Sequence, residues 1–191
     1  MAIGSFIVWG GIAVAVLYFI MIYNNLVRLK NNVSQAWSNI DVLLKQRHDE
    51  LPKLIETCKQ YMGYEKDVLQ KVTQARAAVA QARETGNVRA LGPAETQLRT
   101  TIGNLYAVAE NYPELRANES FQNLQSRISQ LEAQIADRRE FYNDSVNTNN
   151  IRIEQFPDTM IARMLNFGAR ELLKFDKAEL QDVNVKALFN S

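Results

Sequence analysis

Cysteine and histidine are almost missing from this chain: its 191 residues hold one of each, Cys58 and His48. A lone cysteine rules out an internal disulfide, and its place on an apolar helical stripe reads as a buried thiol. His48 has no Cys, His or carboxylate partner at metal-ligand spacing, which argues against a metal centre. No nucleophile–base–orienter set can be built around it, so no enzyme, catalytic residue or cofactor is expected. There are only four prolines. No period-two strand pattern, Gly-rich nucleotide loop, internal repeat or low-complexity tract occurs. Charge of one sign is lacking too: 22 basic residues face 21 acidic ones, for a net charge of +1. That leaves no global basic field for nucleic acid.

The most consequential absence is local. Residues 2–23, AIGSFIVWGGIAVAVLYFIMIY, carry no charged side chain. At 1.5 Å per residue that stretch spans roughly 33 Å, against a hydrocarbon core of about 30 Å. Ile3, Phe6, Ile7, Trp9, Ile12, Val16, Leu17, Ile20 and Ile22 are the side chains expected to meet lipid. A cleaved signal peptide would need a basic start, a shorter apolar core and an Ala-x-Ala site. No Lys or Arg precedes this run and no Ala-x-Ala follows it. A retained single-pass anchor over residues 1–25 is therefore expected. Arg28, Lys30, Lys45 and Arg47 follow the span, so the positive-inside rule puts the N-terminus outside and the helical body in the cytoplasm, at the cell inner membrane.

What is present after the anchor is helical periodicity. Apolar residues recur at steps of three and four through Leu26, Leu29, Val33, Trp37, Ile40, Leu44, Leu51, Leu54, Cys58, Met62, Leu69, Val72, Ala75 and Val79. No Gly or Pro separates the span from this stripe, so one helix leaves the bilayer and becomes the first helix of a bundle. Pro52 either kinks that helix or ends it; the stripe keeps its phase, which favours a kink. Residues 84–87, with Gly86 and Asn87, form a stop. Residues 91–93 open the next helix, with Pro93 at its start and Glu95 in its first turn; Pro113 closes it.

Asn118 offers a cap for a third long helix. Its stripe runs through Phe121, Leu124, Ile128, Leu131, Ile135, Tyr142, Val146 and Ile153, with Arg138 and Asn149 on the same seam. The 3–4 spacing is that of bundle or coiled-coil packing. After Phe156 and Pro157, Asp158 can cap a last helix, TMIARMLNFGARELLKF. That helix either packs on the bundle end or, given its basic and apolar composition, lies on the membrane surface. The fold class expected is all-α, an N-terminal transmembrane helix continuing into an antiparallel bundle of long helices. The domains are an anchor (1–25), a bundle (26–157) and a short amphipathic helix with a C-terminal tail (158–191).

The stretch past the anchor, YNNLVRLKNNVSQAWSNIDVLLKQRHDELPKLIETCKQYMGYEKDVLQKVTQAR, closely resembles the start of the LemA family. AENYPELRANESFQNLQSRISQLEAQIADRREFYNDSVNTNNIRIEQFP agrees in order. The resemblance covers nearly the whole chain through Phe167, including the short uncharged N-terminus and the single span. Asn149 stands where the family usually has Tyr, Tyr64 replaces a common His, and Cys58 sits at a usually apolar position. The resemblance implies an N-out, single-pass bacterial membrane protein with a cytoplasmic antiparallel helical bundle, and it transfers no activity.

Three clusters offer candidate contacts. Trp37, Asp41, Lys45, Arg47, His48, Asp49 and Pro52 form either a solvated ion-pair ladder or a docking surface near the membrane, with Trp37 as anchor. Tyr142, Asn143, Asp144, Asn147, Asn149 and Asn150 are costly in a helix. Interhelical hydrogen bonding or a partner contact would repay them. Residues 111–118 read as a turn and a candidate recognition loop. Leu26, Leu29, Val33, Trp37, Asp41, His48, Tyr142, Asn143 and Asn150 are the expected oligomer or partner contacts. The expected role is a membrane-anchored scaffold that self-associates or docks partner proteins; an adaptor or regulator of a membrane protease, transporter or envelope-stress system is the alternative. Its expected partners are the bilayer, further copies of the chain and a membrane protein.

Overall fold

The computed structural model describes residues 2–174, without the side chains of Ala2, Ile3 and Ser5. Phe175 and the tail to residue 191, and the side chain of Ile3, lie outside the described residues. Every regular element among them is helical. These are α1 (Ala2–Tyr61), α2 (Lys66–Glu84), α3 (Val88–Ala109), the single turn α4 (Pro113–Arg116), α5 (Glu119–Glu154) and α6 (Asp158–Met164). The all-α bundle expected from the periodicity is what forms.

α1 runs through Pro52 and ends nine residues later, at Tyr61. A proline in a helix has no N–H for the carbonyl four residues earlier, here that of His48. Arg76 of α2 fills that gap, its Nε donating to the His48 carbonyl at 3.0 Å. The break falls instead at residues 62–65, which the stripe alone did not reveal. Met62, fully buried, donates its N–H to the Cys58 carbonyl at 2.7 Å, and the Glu65 N–H returns to the Met62 carbonyl at 3.0 Å across Gly63 and Tyr64.

The other ends follow capping chemistry. Gly86 takes φ 63°, a left-handed conformation that suits glycine, and the Asn87 N–H reaches back to the Ala82 carbonyl at 3.0 Å. Asn87 then caps α3 by accepting from the Ala90 N–H at 3.0 Å. So α3 starts at Val88, and Pro93 lies inside it rather than at its start. Pro113 does not close α3, which stops at Ala109; it opens α4. Asn118 caps α5, accepting from the Phe121 N–H at 3.0 Å. α6 is shorter than its composition suggests. Asp158 is its first residue and not its cap, and residues 165–174 carry no regular structure.

The packing divides into two units, and α1 and α5 contribute to both. Among the described residues, one joins residues 2–39 with Glu140–Leu172; the other joins Ile40–Arg139 with Leu173 and Lys174. In the second unit α2 packs along α3 across a three-residue connection. Its core holds Ile40, Leu44, Leu51, Leu54, Cys58, Leu91, Leu98, Ile102, Leu105, Ile128 and Leu131, all at most 2% exposed. The ring of Tyr106 meets that of Phe121 edge-on at 6.3 Å.

Candidate functional site

In the first unit the apolar start of α1 is bare. Phe6, Ile7, Trp9, Ile12, Val16, Leu17 and Ile20 are between 45% and 76% exposed. Helices in water bury such side chains against a partner. Here no described residue covers them, and the segment is long and apolar enough to cross a membrane. The exception is Ile22, expected to face lipid but only 4% exposed. It packs with Leu26, Ile153 of α5 and Ala162 of α6, flanked by Ile161 and Phe167. The Tyr23 ring meets Phe167 edge-on at 6.3 Å. The expected contact seam is thus largely occupied within the chain. Leu26 and Val33 are buried, Leu29 is half-buried, and the Trp37 ring lies 5.6 Å from that of Tyr142.

The amide-rich cluster has a different use from interhelical bonding. Asn150 grips the backbone of Arg170 twice: its Oδ1 accepts from the Arg170 N–H at 2.8 Å, and its Nδ2 donates to the Arg170 carbonyl at 2.9 Å. The Tyr142 hydroxyl donates to the Glu171 carbonyl at 2.9 Å. Burial pushes the Tyr142 phenol above its usual range, so it stays a donor. Buried Asn149 donates to the Asn150 Oδ1 at 3.2 Å and holds that amide in register. Asn143 is half-buried and also engaged. These side chains supply hydrogen-bond partners to an irregular segment that has no ladder of its own. Arg138 is off this seam and exposed, because the buried phase passes from Ile135 to Tyr142.

In the second unit a buried ion pair replaces part of the expected solvated ladder. Arg47 Nη2 contacts both carboxylate oxygens of Glu95, at 2.5 and 2.6 Å, and both side chains are 3% exposed. A cavity of about 10 Å³, room for one water molecule, adjoins them and is lined by Arg99, Glu132, Ile135, Ala136 and Arg139. The signal was present in the sequence: Arg47 falls in phase between Leu44 and Leu51, and Glu95 between Leu91 and Leu98. Opposite charges on two apolar stripes mark a buried pair. Asp41 pairs with Arg83 of α2 at 3.6 Å.

His48 Nε2 lies 2.6 Å from Arg76 Nη2. A guanidinium only donates, so Nε2 accepts and the ring is neutral. Burial first, then the Arg76 charge, lowers the His48 pKa. Cys58 is buried and its thiol is pushed up to about 11, which makes it inert. Among the described residues no group of three or more His, Cys, Asp or Glu could hold a metal ion.

The expected recognition loop is tied down at its base. The Tyr112 hydroxyl donates to Glu65 and the Asn118 amide donates to the Tyr61 hydroxyl, each at 3.1 Å. Next to the α1–α2 turn, Tyr64 is 99% exposed. A groove of about 480 Å³ runs there between Ile55, Lys59, Gly63, Lys66, Leu69, Gln70 and Thr73.

The sequence profile described as the LemA family matches residues 36–187. A protein named Protein LemA from Metamycoplasma hominis is 26% identical over 189 residues, covering 97% of this chain and 84% of that protein. Magnetosome protein MamQ 2 of Paramagnetospirillum magneticum is 23% identical over 175 residues, covering 80% of this chain. Magnetosome protein MamQ of Magnetospirillum gryphiswaldense is 21% identical over 171 residues. The chain spans 64% and 63% of the lengths of those two magnetosome relatives.

Proposed function

The chain belongs to the LemA family, and from that footing we propose that it is a membrane-anchored helical scaffold, one that self-associates and docks partner proteins and carries out no catalysis. The observation that carries the reading is α1. One unbroken helix has bare apolar side chains over its first turns and packed ones from Ile22 onward. An apolar surface of that size is stable in lipid and costly in water. With the first basic residues after the span, the N-terminus faces outward and the helical body lies on the cytoplasmic side of the inner membrane.

Two features support docking rather than chemistry. His48 and Arg47, the residues most suggestive of reactivity, are engaged by Arg76 and by Glu95. The groove beside exposed Tyr64 has apolar residues on its floor and Lys59 and Lys66 at its rim, as a protein-docking surface would. Because Leu26 and Val33 are already covered, self-association would use the exposed face of residues 6–21.

Chemical crosslinking in native membranes, followed by mass measurement of the polymer-extracted particle, tests this. The expected result is a particle heavier than one chain, made of further copies or of a stoichiometric second protein. A monomer that crosslinks to nothing would overturn the proposal.

A further inference from the structure

Four large apolar side chains near the C-terminal end of the first unit are left uncovered by the described residues: Phe156 at 80% exposure, Met160 at 64%, Met164 at 62% and Leu165 at 40%. They flank or belong to α6, which is held against α1 by Ala162 and Ile161. Met160 and Met164 stand four residues apart and share one helix face. Residues 159–170 include Arg163 and Arg170 and no acidic residue.

The level of α6 is set by what it touches. Ile22 is the penultimate residue of the apolar run 2–23, and besides Leu26 the groups burying it come from α5, α6 and Phe167. At 1.5 Å per residue those groups lie within about 3 Å, along α1, of the point where the apolar run ends. The headgroup region on each side of a bilayer is about 5–8 Å thick. A helix packed at that level cannot sit out in bulk water. We infer that α6 and its flanks form an interfacial collar, with Phe156, Met160, Met164 and Leu165 in the headgroup–acyl boundary of the bilayer that holds α1, and Arg163 among the headgroups. The collar rests on the reading of α1 as an anchor. It accounts for four exposed apolar groups that a soluble surface would disfavour. It also makes Ile22 and Phe167 a joint that fixes the first unit at the membrane surface.

Site-directed nitroxide labelling of the full chain in phosphatidylcholine–phosphatidylglycerol vesicles tests it. Single cysteines replace Met160, Met164, Leu17 and Phe141 in turn; Cys58 is fully buried and stays unlabelled. Phe141 is an exposed residue of the same unit. It lies twelve residues before Ile153 on α5, about 18 Å along the helix. The collar requires labels at 160 and 164 to collide several-fold more with oxygen than with a water-soluble nickel chelate, as at 17, with the reverse at 141. Water-like behaviour at 160 and 164 with a lipid-like 17 overturns the collar alone. Protection of 160 and 164 from both reagents also overturns it, because a protein then covers them. A water-like 17 overturns the anchor reading and the collar with it.

Discussion

The Arg76 contact yields a quantitative expectation. Pro52 leaves the His48 carbonyl without its helical partner, and Arg76 Nε supplies one at 3.0 Å. Arg76 also donates to the His48 ring. Hydrogen bonds from a charged donor contribute about 1.5–3 kcal/mol, and an orphaned half-buried carbonyl costs about 1–3 kcal/mol. Arg76→Ala should therefore destabilise by roughly 2–3 kcal/mol. Pro52 is exposed, so Pro52→Ala opens no cavity and restores an N–H within reach of the same carbonyl. In that background Arg76→Ala should cost only about 1 kcal/mol, the share of the ring contact. The coupling in a double-mutant cycle is then about 1–2 kcal/mol, well above the ~0.5 kcal/mol seen for independent sites. Urea unfolding of the four detergent-solubilised proteins, followed by far-ultraviolet circular dichroism, measures it. Additive effects would refute the claim that Arg76 exists to complete the helix across Pro52.

Two further outcomes follow from the second unit. Arg47→Met leaves Glu95 buried without its partner and should cost about 3–5 kcal/mol, whereas Arg47→Met with Glu95→Leu should recover most of that; urea midpoints distinguish this from two independent losses. His48 stays neutral in the fold, with its pKa lowered by burial and by Arg76. Its unfolded counterpart takes a proton near pH 6.5, so stability should be full above that pH and fall as the pH drops through it towards the lower folded value. His48→Gln should flatten this part of the pH profile, and an unchanged slope between pH 7.5 and 5 would refute the neutral-ring assignment.

The composition and spacing of the chain determined a great deal. Twenty-two uncharged residues, the 3–4 apolar period and the Asn and Gly stops specify a long apolar helix leading into an all-α bundle, because burial and capping are local and periodic demands. From sequence alone Arg47 reads as a solvated ladder residue and Glu95 as a first-turn carboxylate; their phase with the apolar stripes carries a signal, but the tertiary structure was needed to join them as a buried pair. Other features depended on groups far apart in sequence. Only packing could show that Arg76, 28 residues on, rescues the carbonyl freed by Pro52, or that the break falls at Gly63. Only packing showed that the costly amide of Asn150, held by that of Asn149, grips the Arg170 backbone rather than another helix. The helical pattern after Pro157 promised a longer α6. The chain instead leaves helix at Met164: Asn166 takes φ 56° and the Phe167 N–H returns to the Ala162 carbonyl at 2.9 Å, a left-handed stop, after which Asn150 and Tyr142 hold the backbone of Arg170 and Glu171. Ile22 looked like one more lipid-facing residue because hydropathy does not distinguish a lipid tail from a neighbouring Ala162. Both remove an apolar side chain from water, and only the tertiary fold decided which of them does so here.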